Sequence, residues 1–484
     1  MHYAKRLEFL EPAKNLYQTE EKSMKKFLAI LLAAVLCLSL AACGGNGGDE
    51  TTAAGETTAA GETAAADTTA EGDTTAASEE KATADQLSKL KIGIVLLHNE
   101  TVGYDENFIN SVKNAVKNLG LDEATQVIFK KDIPEDKKCY DACVELAEEG
   151  CNLIFADSFS HEEYVIEAAK EFTDVQFFHA TGVNAKIVNL PNFHNAFAKI
   201  FEGRYLAGVV AGLKLNELIE AGTIKEDEAK IGYIGAKPYA EVISGYTSFF
   251  LGARSICPSA TMEVTYTNEW ANLAKEQEAA KKLIKDGCVI ISEHADTDGS
   301  PMACEDAMTK ENKTVYHIGY NIDFNDVAPT ANLVSSKIDW TPYFEHIFNG
   351  VAMGAELEND YCGDFTTDSV LLTEYNDKNV TDEMKAKVDE VKADLESGKI
   401  KVFDTSTFTV KDESTIKTNE ANFVLADNYK TDADGHLTSY MADAVADEKY
   451  TPDTDVIKDG EFAESSERSA PYFNANIDGI DVIG

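Results

Sequence analysis

The sequence predicts an α/β protein of two doubly wound, parallel-sheet lobes with a hinge and a ligand cleft between them. Three observations predict it. Short apolar runs of strand length alternate with amphipathic stretches of helix length from Lys91 onward. The alternation forms two consecutive series of similar length, which implies two parallel sheets covered by helices on both faces. A folded part of about 395 residues also exceeds what one hydrophobic core serves and suits two lobes.

The first series opens with the buried strand Lys91 to Leu97. From Asn107 to Leu119 a helix places Phe108, Ile109, Val112, Val116 and Leu119 on one face. A strand over 125–129, a helix over 137–149 with Cys143, Leu146 and Ala147 inward, and a strand over 152–156 follow. A helix over 161–172 and a strand over 175–179 close the series. After a loop, residues 202–219 form a long helix with the small-residue face Ala207, Gly208, Ala211 and Gly212. The pattern then restarts with a strand over 230–234, a helix over 240–256, a strand over 262–266 and a helix over 271–286. Strands over 288–292, 315–320 and 332–335 and a helix over 340–356 complete it. Right-handed crossovers leave two doubly wound lobes as the simplest topology. We therefore expect lobe 1 at about 89–198 plus 335–484, and lobe 2 at about 199–334.

The N-terminus addresses the chain. Lys25 and Lys26 precede an apolar run from Phe27 to Leu38, then small residues up to Cys43. That is the layout of a secretory signal peptide, and the run is shorter than the ~20 residues of a membrane-spanning helix. Leu40-Ala41-Ala42-Cys43 resembles the lipobox of bacterial lipoproteins, which implies lipidation at Cys43 after cleavage. Residues 1–23 carry no export signal of their own, so Met24 is the expected start. Residues 44–88 are almost wholly Gly, Ala, Thr, Glu, Asp and Ser, and read as a disordered tether. As a flexible coil, ~45 residues span on the order of 35–40 Å. The folded domain is expected over 89–484.

A formal net charge of -42 argues against a nucleic-acid partner, which needs clustered Lys and Arg. Beyond the signal region the cysteines are Cys139, Cys143, Cys151, Cys257, Cys288, Cys304 and Cys362. They show no framework spacing and no zinc pattern. Buried, inert thiols are expected, and neither a metal nor a cofactor.

In parallel sheets, ligands bind beyond the carboxyl ends of the strands. The loops there hold His98 to Asp105, Asp157-Ser158-Phe159, His179 to Gly182, Lys237-Pro238-Tyr239 and Asn268-Glu269-Trp270. Glu293 to Asp296, Gly319 to Asp323 and Ser335-Ser336-Lys337 follow. Aromatic rings alternating with carboxylates and amides suit a flat, polar-edged heterocycle. The plainer alternative is that Phe159 and Tyr239 are core and the charged residues face water. No P-loop, G-x-G-x-x-G after a strand, G-x-S-x-G or H-E-x-x-H is present. His294 with Asp296 could form half of a general-base pair, yet no nucleophile joins them, so ligand contact is the expectation and no catalytic residue is assigned. Asp296 to Gly299 and Asp432 to Gly435 superficially match calcium loops but lack the closing Glu, and read as turns.

Residues Asn152 to Phe159, Ala169 to Gly182 and Phe201 to Gly208 resemble the basic membrane protein family, the PnrA-like substrate-binding lipoproteins of ABC transporters. Ile231 to Ile234, Leu251 to Arg254, Glu278 to Ala280, Gly319-Tyr320, Arg468 to Tyr472 and Ile477 to Gly479 continue the likeness. It runs from about 90 to 345 and resumes near the end. The resemblance implies the two-lobed type I periplasmic-binding fold, closure by hinge motion, a membrane permease partner, no enzymatic activity, and a purine base or nucleoside as ligand. On the matching positions it implies stacking faces at Tyr104 and Trp270. Asp157, Phe159, Glu202, His294, Asp296, Asn321 and Asp323 fall in its cleft-lining segments, and Lys337 lies near a position used for the ribose. Asn107-Phe108-Ile109 stands where nucleoside binders often have Ser-Phe-Asn, and Asn321 where they tend to have Asp. Losing that carboxylate favours a free base over a nucleoside. A sugar or other small metabolite is the alternative ligand; a surface nucleoside-processing enzyme or an adhesive antigen are the alternatives of other classes.

Overall fold

The computed structural model describes residues 81–411, 428–442 and 453–483. The expected signal peptide, the lipidation site Cys43 and the tether as far as residue 80 lie outside the described residues. The tether boundary at 88 is corrected. Thr83 and Gln86 form a capping box on the helical turn Ala84–Leu87, the Leu87 side chain is buried, and the Ala82 N–H donates to Asn349 Oδ1 at 3.1 Å.

The first sheet contains β1 (Ile92–Val95), β2 (Val127–Lys130), β3 (Leu153–Ala156), β4 (Gln176–Ala180), β5 (Phe193–Ala198) and β11 (Asp360–Gly363). Their order is β11-β5-β4-β3-β1-β2, every pair parallel. The second contains β6 (Lys230–Gly235), β7 (Thr261–Tyr266), β8 (Ile290–His294), β9 (Tyr316–Tyr320), β10 (Asn332–Ile338), β12 (Val370–Leu372) and β13 (Ile480–Val482). Their order is β12-β10-β9-β8-β6-β7-β13, parallel except where β12 runs against β10. β1, β3 and β8 are buried along their whole length, as strands covered on both faces must be.

The helices that cover the sheets are α1 (Gly103–Leu119), α2 (Lys137–Glu148), α3 (Glu162–Glu171), α4 (Ile200–Glu220), α5 (Ala240–Ile256), α6 (Leu273–Lys285), α7 (Gly299–Glu311), α8 (Thr341–Met353) and α9 (Asp382–Glu396). Asp136, Asn272 and Thr381 cap α2, α6 and α9 by accepting from backbone N–H groups of the first turn. The seven cysteines of the folded part are free thiols, all buried except the half-buried Cys362.

The chain crosses between lobes three times: from β5 into α4, from β10 into α8, and from β11 into β12. α8 packs on α1 in the first lobe, with Phe108 and Trp340 stacked at 4.7 Å. The expectation that 335–484 belongs with lobe 1 is therefore corrected. Only α8 and β11 return there; β12 and β13 complete the second sheet, because β10 and β7 are the strand edges that accept them. The segment 464–478 touches both lobes. Ser469 is held by Asp360 and by the Asn195 side chain of lobe 1, while Asp478 pairs with Arg254 of α5 at 2.6 Å.

α4 and α5 approach unusually closely. A Cβ at Gly208 would stand 1.9 Å from the Phe249 carbonyl oxygen, and one at Gly252 would stand 2.0 Å from that of Tyr205. The predicted small-residue face is thus where two backbones meet. Glu202 lies in the first turn of α4, beside Lys199 and Asp364 rather than in the cleft. Burial pushes its carboxyl up to about 7, with Lys199 opposing and Asp364, Glu396 and Glu461 adding.

Two outcomes follow from this packing. Gly208→Val should destabilise the domain by at least about 1–3 kcal/mol in denaturant melts, since backbone atoms cannot yield as side chains do. The Glu202 carboxyl is raised in the folded state, so its contribution to stability is full below pH ~4.5 and is lost as pH rises through about 7. Glu202→Gln should flatten the fall in melting stability over that interval, a difference on the order of 2–3 kcal/mol at pH 8.

Candidate ligand-binding site

A largely enclosed space lies between the lobes at the carboxyl ends of both sheets, with about 20 Å³ open to the centre of a water-sized sphere. From lobe 1, Leu97, His98, Tyr104, Ser158, Phe159 and Thr181 line it; from lobe 2, Glu241, Trp270, His294, Asp296 and Tyr320 do so. These residues sit at the ends of β1, β3, β4, β7, β8 and β9, or in the first turn of α1 and α5, where a parallel sheet points its variable loops.

The lobe 1 wall is built on buried carboxyls. Tyr104 donates its hydroxyl to the Asp157 backbone carbonyl at 2.8 Å and meets Phe108 edge-on at 5.1 Å, which fixes its ring. The Asp157 side chain lies behind the wall: its Oδ1 accepts the Leu97 N–H at 3.1 Å. Burial, then the neighbouring Asp105 carboxyl, pushes Asp157 well above the carboxylate range. Asp105 in turn accepts the His98 N–H at 2.6 Å and faces His98 Nδ1 at 3.3 Å. This pair shapes the turn after β1 without touching the enclosed space. Glu135 accepts from the Ser158 hydroxyl at 2.7 Å and the Ser160 N–H at 3.1 Å. Burial lifts its carboxyl, and the Ser158 bond with the Lys237 charge more than offsets that.

In the lobe 2 wall, His294 Nε2 lies 3.3 Å from Glu241 Oε1, and burial holds the imidazole down to about 4. Tyr320 packs against His294 at 4.7 Å between ring centroids. The Trp270 ring sits 5.9 Å from Tyr239, and its buried Nε1–H has no partner. Burial, then Glu276, Asp105, Glu241 and Glu293, pushes the Asp296 carboxyl well above its usual range.

The lobes meet across this space. The Gly103 N–H, an orphan donor of the first turn of α1, bonds the Asp296 carbonyl at 3.0 Å. A Cβ at Gly103 would lie 2.9 Å from Ile322 Cδ1, so only glycine admits this approach without displacement. Phe159 and Tyr239 meet at 5.5 Å, and Lys237 Nζ lies 3.8 Å from Glu135 Oε2.

The structure thus gathers Tyr104, Phe159, Trp270, His294 and Asp296 of the expected residues. Asp157 supports the wall from behind. Asn321, Asp323 and Lys337 line a neighbouring, more open cleft with Glu106, Asn107 and Glu374 rather than the space beside the aromatic rings. Glu202 is corrected to the start of α4, since the helix turns it towards Lys199. Glu241 is the addition that sequence reasoning missed; the loop after β6 was inspected only to Tyr239, although an acid two residues further on was the available signal. His98, Ser158, Thr181 and Tyr320 stood in inspected segments without being singled out.

A model of the family described as ABC transporter substrate-binding protein PnrA-like matches residues 92–404. A purine-binding protein of Brucella abortus is 28% identical over 316 residues, covering 65% of this chain and 83% of that protein. A putative ABC transporter glucose-binding protein of Haloferax volcanii is 27% identical over 280 residues, covering 58% of this chain and 66% of that protein. A solved ABC transporter solute-binding protein from Aeropyrum pernix superposes with a TM-score of 0.54 at 13% identity, over 64% of this chain and 92% of that one. One from Conexibacter woesei gives 0.50 at 21% identity, over 64% of this chain and 98% of that one. The fold is that of type I periplasmic binding proteins, and the chain belongs to the PnrA-like family of ABC transporter substrate-binding proteins.

Proposed function

We propose that this substrate-binding protein captures a free purine base between its lobes, outside the cell membrane, and delivers it to an ABC permease from a lipid anchor at Cys43. The observation that carries the ligand is the enclosed space itself, where the rings of Tyr104, Phe159, Trp270 and Tyr320 surround Glu241, Asp296 and His294. Flat apolar faces with a few convergent polar groups at the edge match a heterocycle that stacks and bonds along its rim. The Brucella relative is named for purine binding. A base is favoured over a nucleoside because Asn321 stands where nucleoside binders tend to have Asp, and Lys337, near a position that the resemblance ties to the ribose, lines the neighbouring cleft. The glucose-binding relative makes a sugar the second reading.

A thermal-shift series with adenine, guanine, hypoxanthine, their nucleosides and glucose separates these readings. A ligand at a hundredfold excess over its Kd stabilises the native state by ~2.7 kcal/mol. The expected result is a shift with at least one free base that Trp270→Ala removes. A shift with nucleosides alone would exclude the free base, and a shift with glucose alone would exclude purines. Cys43→Ser should release the expressed protein from the membrane fraction into the soluble exported fraction; retention in the membrane would overturn the anchor.

A further inference from the structure

Arg204 of α4 is 1% exposed, yet among the described residues no carboxylate forms an ion pair with it. Its Nη1–H donates to the Glu293 carbonyl at 2.8 Å, while Nε and Nη2 have no partner. A buried guanidinium without a counter-charge is costly, and two contacts tie this one to the ligand site. Its plane lies 3.6 Å over the Tyr320 ring, whose other surroundings include the enclosed space. Its edge approaches His294: a Cβ added at Gly245 would stand 3.0 Å from His294 Nδ1 and 3.7 Å from Arg204 Nε, so both atoms border one spot.

The opposite nitrogen, His294 Nε2, faces Glu241 Oε1 at 3.3 Å. A carboxylate only accepts and a guanidinium only donates. The proton of a neutral imidazole held between them belongs on Nε2, and Nδ1 keeps its lone pair towards Arg204. We propose that Arg204 is a positioning residue of the ligand site: its charge beside the unpartnered Nδ1 of His294 admits a lone pair and disfavours an N–H there, so Nε2–H stays on Glu241 Oε1 and Glu241 Oε2 is left to accept an N–H of the bound ligand. In the Nδ1–H form, His294 would instead turn an Nε2 lone pair on Glu241 and release the carboxylate from that geometry. Burial and the Arg204 charge act in the same direction on the imidazole. The other titratable groups around the pair are Tyr320 of β9, Tyr233 of β6, Tyr104 from across the cleft and Asp296 on the following loop. The functional consequence rests on the cleft being the ligand site; the tautomer itself does not.

The test uses ligand-free protein, so failure of the purine reading leaves it intact. Long-range ¹H–¹⁵N correlation spectra of the full chain, with His294→Gln for assignment, report which nitrogen carries the proton between pH 4 and 8. The wild-type protein should show the Nε2–H pattern down to pH 5. Arg204→Met, checked for a native circular dichroism spectrum, should raise the protonation midpoint by about one unit or more, or populate the Nδ1–H form. A wild-type spectrum with the proton on Nδ1, or an Arg204→Met protein with unchanged tautomer and midpoint, would overturn the proposal. Should Arg204→Met fail to fold, Arg204→Gln, which removes the charge and keeps a polar side chain, takes its place with the same expected and overturning results.

Discussion

The organisation of this protein depends on the chain passing between two parallel sheets three times. A parallel sheet gathers its loops at the carboxyl ends of its strands, and the crossings set two such ends face to face. The enclosed space is a consequence of that opposition. The two lobes are joined at these short crossings and by the segment 464–478, which bonds to both. The Gly103 N–H shows how closure is favoured locally. A helix start always leaves unpaired donors, and here the opposite lobe supplies the carbonyl that water would otherwise provide.

A second theme is how much polar chemistry lies behind the wall rather than on it. Asp105 and Asp157 brace the turn after β1, Glu135 anchors the turn after β3, and Arg204 supports Tyr320 and His294 from the core side. Each group is removed from water, so its geometry is held by few and strong contacts. The aromatic rings that line the space are thereby held in place, which would limit the ordering lost on binding a ligand there.

The regular elements were legible where the sequence carried a clear period. The helix over 240–256 and the strands over 230–234 and 315–320 lie where apolar spacing put them. β5 was read as loop because His194 and Asn195 interrupt its apolar run. Both polar side chains are satisfied inside, by the Glu358 carbonyl and by Asp360 and Ser469, partners far away in sequence. α7 was hidden by Gly299 and Pro301 at its start, which read as a turn. The sheet in which a late strand pairs is a long-range decision that no local pattern encodes, hence the revised place of β12 and β13. In the candidate site, the loops after strands bring Tyr104, Phe159, Trp270, His294 and Asp296 to one space between the lobes. Family likeness marks a segment and not the direction of a side chain, so Glu202 and Asn321 were placed in the pocket on segment alone.

β13 pairs with β7, a strand synthesised more than two hundred residues before it. Until that partner arrives, the edge of β7 exposes unpaired backbone groups of the kind that recruit strands from other chains. The second lobe therefore cannot finish its sheet during early synthesis, and its completion has to wait for a distant part of the chain. The nascent chain therefore leaves its second sheet open until its last residues have been made, longer than the first sheet, which closes with β11.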